Sequence, residues 1–253
     1  MSAAAGEASK DILKLVEENL NVWGFSPEKG LTHFGGFLGD LNLKTLIMTW
    51  IVMIIIILFT VAATRRMQLK RPGKLQLMVE EMYGFLKGLA FENLDPKKGA
   101  SLMCLLFSLF IFLLFCNLWG LIPTMMSPTA DVNTTLGMAI AVFILVQVLG
   151  LYYKKFSYFK HFIEPFVFFL PLVIVEELSK PLTLGFRLYG NIYAGEVLVA
   201  VLLGLVPLTM TIFGGFIASV IWLSFSIFVG FIQAFIFTML TIAYIGQVTA
   251  DHH

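Results

Sequence analysis

The stretch EELSKPLTLGFRLYGNIYAGE, residues 176–196, sets the architecture because it is largely apolar and nevertheless carries several charges. Its charged side chains are Glu176, Glu177, Lys180, Arg187 and Glu196. A charged group at the centre of a membrane helix costs about 2.5–3.5 kcal/mol on insertion scales. A guanidinium cannot lose its proton to reduce this cost, whereas a lysine can. The stretch therefore predicts a functional site within a membrane helix, centred on Arg187.

A helical arrangement of this stretch places most of its polar side chains on one face. At about 100° per residue, the side chains within about 40° of Arg187 are those of Glu176, Lys180, Thr183, Asn191 and Ala194. Glu177 lies about 80° from Arg187, and Glu196 lies nearly opposite it. Four small residues would let a second helix pass close by: Gly185, Gly190, Ala194 and Gly195.

The composition of the whole chain indicates a membrane protein. Of its 253 residues 58% are hydrophobic and 13% charged, whereas soluble domains are about 25% charged. We expect an all-α integral membrane protein with five transmembrane helices and one interfacial amphipathic helix. The predicted spans are about 46–64, 101–122, 132–153, 166–206 and 211–248, and the interfacial helix covers about 75–93. The last two spans exceed a bilayer of about 30 Å, which predicts a strongly tilted antiparallel hairpin.

The distribution of basic residues predicts the orientation. The first span is followed at once by Arg65, Arg66, Lys70, Arg71 and Lys74. By the positive-inside rule this end is cytoplasmic, so residues 1–44 form an extracytoplasmic segment and residues 45–253 the membrane domain with a cytoplasmic C-terminus. Asp131 then lies outside, where it either caps the helix that begins near Val132 or serves as an acid at the mouth of a water path.

The last span carries a polar stripe. Ser219, Ser226, Gln233 and Tyr244 share a face at steps of about 20°. Such side chains either line water or form hydrogen bonds with a neighbouring helix. Gln233 favours the functional interpretation, because a large amide at membrane depth is costly to bury.

Several function classes are excluded by the motifs. The sequence has no glycine-rich phosphate loop, HExxH pair or nucleophile motif, and nothing in it suggests a cofactor, a metal or nucleic acid. Three hypotheses remain: a subunit that provides an ion path against a partner, a secondary transporter with an intramembrane Arg/Glu site, and a membrane-embedded enzyme. An unpaired Arg187 favours the first, because it would interrupt a cation path.

Four motifs carry a family resemblance. RLYGNIYAGE at 187–196, QAFIFTMLTIAYI at 233–245, GKLQLMVEEMYGF at 73–85 and SPTADVNTTL at 127–136 resemble subunit a of F-type rotary ATP synthases. The resemblance extends from about Leu46 to the end of the chain.

The resemblance implies a stator subunit in a bacterial plasma (inner) membrane. Its partners would be the ring of c subunits, the peripheral-stalk b subunits and the rest of the complex, with no ATP catalysis of its own. Arg187 would be the essential cation between two half-channels. The outer half-channel would contain Asp131, Asn191, Glu196, Ser226, Gln233 and Tyr244, and the inner one Glu176, Glu177 and Thr183. Ser226 stands where some family members have histidine, so a Glu–His proton relay is not expected.

The orientation is tested by labelling single cysteines from each side of the membrane in a chain that lacks Cys104 and Cys116. We expect Lys154→Cys to react only from the cytoplasmic side and Asn133→Cys only from the outside, because the basic clusters flank the cytoplasmic ends of the spans. Labelling of Lys154→Cys only from the outside would invert the topology.

Overall fold

The computed structural model describes residues 31–33, 40–65, 67–68, 72–122, 125, 127–155, 170–205 and 212–249. These residues form six α-helices, one 3-10 turn and two three-residue strands. The helices are α1 (Leu43–Thr64), α2 (Lys74–Asn93), α3 (Pro96–Trp119), α4 (Val132–Lys154), α5 (Leu170–Leu205) and α6 (Ile212–Thr249). The 3-10 turn, η1 (Pro128–Ala130), lies between α3 and α4.

The two strands precede the first helix and were not expected from the sequence. Strand β1 (Leu31–His33) pairs antiparallel with β2 (Asp40–Asn42). The sequence between them contains Gly35, Gly36 and Gly39, a composition typical of a chain reversal. Most of the N-terminal segment 1–44 lies outside the described residues. The membrane part is all-α, as predicted.

Four helices are long and apolar enough to cross a membrane. The candidate spans in the described residues are Thr45–Thr64, Pro96–Trp119, Val132–Lys154 and Val220–Thr249. Helix α5 is not among them, and it is the helix that carries the five charges of residues 176–196. A fifth span along α5 and an interfacial position for α2 therefore stay predictions.

Polar contacts show which helix ends meet. At one end, Thr45 Oγ1 donates to Asp131 Oδ2 over 2.9 Å, so α1 and α4 begin side by side. At the other end, Lys98 Nζ donates to the carbonyl oxygen of Thr249 over 2.8 Å and lies 5.1 Å from the ring centre of Tyr153. The start of α3 thus meets the ends of α4 and α6, and α3 runs antiparallel to both.

The bundle is closed by an apolar core shared among α3, α5 and α6. Its largest fully buried side chains include Phe110, Leu113, Leu188, Phe237 and Ile242. Helix α2 adds the buried Leu86 and Ala90, and its opposite face exposes Glu80, Glu81 and Lys87. This one-sided burial gives α2 the amphipathic character expected from its sequence.

Close helix packing depends on two glycines. A Cβ atom on Gly185 of α5 would lie 3.3 Å from the Cα atom of Leu136 on α4. A Cβ atom on Gly246 of α6 would lie 2.7 Å from the backbone oxygen of Asn93 at the end of α2. Because backbone atoms cannot rotate aside, the second contact requires glycine more strictly.

We expect Gly246→Ala to lower the free energy of unfolding by about 1–3 kcal/mol, because its methyl group forces α2 and α6 apart. Gly137→Ala on α4 is the matched control, since a Cβ atom there meets nothing within 4 Å. Thermal unfolding of the detergent-solubilised chain measures both variants. Equal midpoints for the two would show that α2 does not restrain α6.

Candidate functional site

Helix α5 separates a packing face from a polar face. The buried residues Pro181, Leu184, Gly185 and Leu188 recur at helical spacing and turn toward the bundle. The adjacent face carries the polar stripe around Arg187, and its members Glu176, Thr183, Arg187, Asn191 and Ala194 are exposed. The helix continues through Pro181 without interruption. The sequence therefore places the polar stripe on the open side of the protein.

A cleft of about 670 Å³ opens between α5, α6 and the end of α3. Its apolar walls include Ile192, Leu198, Trp222, Phe225, Val229 and Ile236. Its polar lining consists of Asn117, Arg187, Asn191, Ser226 and Gln233. The structure thus brings together four predicted site residues from two helices.

A hydrogen bond joins the two predicted amides across this cleft. Asn191 Nδ2 on α5 donates to Gln233 Oε1 on α6 over 2.9 Å. Only 2% of Gln233 is exposed, so this bond satisfies a carbonyl group that would otherwise be buried without a partner. The bond fixes the two long helices relative to each other beside Arg187.

Arg187 differs from Lys180, the other cation of α5. Within the described part of the chain its guanidinium makes no ion pair or hydrogen bond. Lys180, by contrast, forms an ion pair with Glu177 Oε1 at 2.5 Å, and both side chains are largely buried, with 19% and 12% exposed. The cationic charge of Lys180 is therefore compensated locally.

Glu177 and Lys180 belong to a second polar group on the N-terminal half of α5. Gln147 Nε2 of α4 donates to Glu177 Oε2 over 3.3 Å. Lys180 Nζ lies 5.6 Å from the ring centre of Tyr244. The partner of Lys180 is thus Glu177, while Glu176 and Thr183 are exposed.

Tyr244 lies in this second group, and its assignment to the outer half-channel, which the family resemblance implies, stays a prediction. It contacts Lys180 and does not line the cleft. Tyr244 shares an angular position with Gln233, but eleven residues separate them, or about 16 Å along the helix. A shared face does not imply a shared depth.

Asp131 caps helix α4, which confirms one of its two interpretations. Its Oδ1 accepts from the backbone N–H of Asn133 over 2.9 Å, and its Oδ2 accepts from Thr45. Asp131 does not line the cleft, so its role as an entrance acid stays a prediction. The side chain of Glu196 lies outside the described residues.

Comparisons with known proteins identify the family of this chain. A family model described as "ATP synthase A chain" matches residues 46–246. The chain is similar to ATP synthase subunit a of Desulforamulus reducens, with 47% identity over the whole of both chains. It is 40% identical to ATP synthase subunit a of Priestia megaterium over 85% of this chain and 96% of that protein.

The chain belongs to the ATP synthase subunit a family. The resemblance seen in the sequence is therefore confirmed. The chain is a membrane-sector ion-translocating subunit of the ATP synthase complex. The comparisons do not favour the secondary-transporter alternative.

Asn117 lines the cleft and was not predicted from the sequence as a site residue. Asn117 is 1% exposed, and it donates through Nδ2 to the carbonyl oxygen of Gly230 over 3.0 Å. The sequence does contain a signal for Asn117, since its polar amide interrupts an otherwise apolar run. A buried amide in such a run requires partners, which is the same argument that identified Gln233.

In the described part of the chain, no three His, Cys, Asp or Glu side chains are placed to hold a metal ion.

Two serines of α6 test whether the cleft holds water. Ser226 lines the cleft, whereas Ser224 is exposed and does not line it. In the assembled complex, without Cys104 and Cys116, we expect a charged thiol reagent to modify Ser226→Cys and to leave Ser224→Cys unmodified. The reason is that the reactive thiolate forms in water and not in lipid. If the reagent modified neither Ser226→Cys nor Ser224→Cys, the result would favour a cleft that is filled by packed side chains and holds no water.

Proposed function

We propose that this protein provides two offset half-channels that load and unload the carboxylates of a rotating c-ring, with Arg187 between them. The observation that carries this proposal is that Arg187 is exposed at the edge of a polar cleft and makes no ion pair or hydrogen bond with the residues that the structure describes. A cation that only completed an internal salt bridge would have a carboxylate beside it. An unpaired cation on an open face instead suits a carboxylate supplied by another subunit.

The cleft supports the outer half-channel. Asn191, Ser226 and Gln233 line it, and its volume admits several water molecules alongside these polar groups. Glu196 joins this half-channel by family resemblance, and Asp131 is proposed for its mouth. The path ends at Arg187, which lines the same cleft.

The second polar group supports the inner half-channel. Glu177 is held by Gln147 and Lys180, while Glu176 and Thr183 are exposed on the polar stripe. Between Lys180 and Arg187 the inward side of α5 is closed by Pro181, Leu184 and Gly185, which are buried. The two proposed paths are therefore separated along α5.

Arg187 acts on the ring carboxylate in two ways. Its positive charge stabilises the ionised carboxylate and so lowers the pKa of that group when it arrives. The same charge repels a free cation and closes the direct route between the half-channels. A carboxylate must then be neutral, by protonation or Na⁺ binding, before it can turn into lipid. Ion flow consequently requires rotation.

The open face of α5 suits close approach by a ring helix. Cβ atoms on Gly190 or Gly195 would meet nothing within 4 Å, and Ala194 is exposed beside them. Small residues at a helix interface let two backbones approach closely. We place this face against the c-ring, with peripheral-stalk b subunits elsewhere on the protein, in a bacterial plasma membrane with a cytoplasmic C-terminus.

Replacement of Arg187 tests the proposal. In vesicles that hold the assembled complex, we expect Arg187→Ala to abolish ATP-driven ion pumping and ATP synthesis and to open a passive ion leak. Loss of pumping and the passive leak both follow from the loss of the Arg187 charge. That charge forms the barrier between the half-channels and also favours deprotonation of the ring carboxylate. Arg187→Lys should rescue poorly, since an ammonium lacks the planar fork and can lose its proton at a low-dielectric site.

Lys180→Gln is the matched control, because it removes a cation from the same stripe of α5. Its charge is already compensated by Glu177, so we expect no passive leak from this variant. Ion flux under an imposed membrane potential measures the leak in each case. Coupled pumping by Arg187→Ala would disprove the mechanism.

A further inference from the structure

A buried chain of hydrogen bonds connects turn η1 to helix α6 through Asn117. Ser127 Oγ lies 2.7 Å from Thr129 Oγ1 and donates to the carbonyl oxygen of Cys116 over 2.8 Å. Thr129 Oγ1 donates to Asn117 Oδ1 over 2.9 Å, and Asn117 Nδ2 donates to the carbonyl oxygen of Gly230 over 3.0 Å. The side chains of this chain are at most 2% exposed.

The direction of these bonds is fixed by chemistry. The oxygen of Gly230 is only an acceptor, so the amide of Asn117 must present its NH₂ group to α6 and its oxygen to Thr129. Thr129 must then donate its single hydroxyl hydrogen to that oxygen. Loss of the Thr129 hydroxyl would leave the carbonyl of Asn117 buried without its partner, which weakens the hold of Asn117 on α6.

The chain reaches α6 at the turn that carries the cleft amide. Gly230 precedes Gln233 by three residues, or less than one helical turn. A Cβ atom on Gly230 would lie 3.3 Å from Cβ of Asn117, so α3 and α6 approach closely at this level. Gln233 then accepts the hydrogen bond from Asn191 of α5.

We propose that Asn117 and Thr129 are positioning residues that hold the Gly230–Gln233 turn of α6 where Gln233 meets Asn191. The chain thereby sets the separation of α5 and α6 along the cleft. This inference rests on the proposed function of the cleft as an ion path. Thr129 is fully buried and does not line the cleft, so it acts on the ion path through Asn117.

Thr129→Val and Thr129→Ser test this role without altering the cleft lining. Valine keeps the shape of threonine and removes its hydroxyl group, whereas serine keeps the hydroxyl group. For Thr129→Val we expect the rate of ATP-driven pumping, per assembled complex, to fall by roughly threefold to tenfold. We expect Thr129→Ser to pump close to the wild-type rate. In chains that also carry Ser226→Cys, Thr129→Val should change the rate at which a thiol reagent modifies that cysteine more than Thr129→Ser does.

The variants Asn117→Leu and Gly230→Ala test whether Asn117 acts by positioning α6 or only by lining the cleft. Asn117→Leu should slow pumping at least as much as Thr129→Val, and adding Thr129→Val to Asn117→Leu should cause no further loss, because both break one chain. Gly230→Ala keeps every hydrogen-bonding group and pushes α3 from α6, so it should also slow pumping. Independent, multiplicative losses in the double variant would overturn the proposal, as would wild-type pumping by both Thr129→Val and Gly230→Ala.

The Arg187→Ala complex distinguishes this inference from the proposed function. If Arg187→Ala stops pumping while the Thr129 and Gly230 variants pump normally, the half-channel mechanism stands and the positioning role fails. If Arg187→Ala pumps normally, the half-channel mechanism itself fails, whatever the other variants do.

Discussion

The cost of an unsatisfied polar group in hydrocarbon is the constraint on which this structure depends. Many of the described polar groups meet it in pairs and chains, although the buried Trp119 Nε1 has no hydrogen-bond partner among the described residues. Glu177 is held by Lys180 and Gln147, and Gln233 by Asn191. On α6 the hydroxyl groups of Thr238, Thr241 and Thr249 donate to carbonyl oxygens four residues earlier in the helix. Against this background an exposed arginine that has no partner in the described part of the chain requires an explanation from outside the chain.

Much of the fold follows from the sequence because hydrophobic length and helical phase are local properties. The apolar runs predicted the helices α1, α3, α4 and α6, and the phase of residues 176–196 predicted the exposed stripe around Arg187. Local patterns do not specify which helices become neighbours. Tyr244, for example, shares a helical face with Gln233, but its position along α6 places it beside Lys180 of α5. The small strand pair before α1 depends on backbone pairing between separate segments, for which three-residue runs give no periodic signal.

The site was partly predictable because a polar residue in an apolar run can be recognised from the local sequence. Arg187, Asn191 and Gln233 were found because each is a costly polar residue in an apolar run, and the structure brings all three to one cleft. Asn117 satisfies the same criterion, but its importance emerges only from the tertiary contacts with Thr129 and Gly230. Glu176 and Glu177 both lie within reach of Lys180 on a helix, so the sequence alone does not choose between them. The structure pairs Lys180 with Glu177, which also accepts from Gln147 of α4.

Under the proposed mechanism, the separation of polar groups along α5 explains why one arginine can suffice as a barrier. Lys180 and Asn191 are eleven residues apart, or about 16 Å along the helix, and Arg187 lies between them. In the described structure the inward side of this interval is filled by Leu184, Gly185 and Leu188, which pack against α4 and the core. On the inward side an ion therefore meets packed apolar groups, and on the open side it meets the charge of Arg187. Under the proposed mechanism the remaining way across the interval is on a carboxylate of another subunit, so the packing of α5 and the charge of Arg187 together make translocation depend on movement of that subunit.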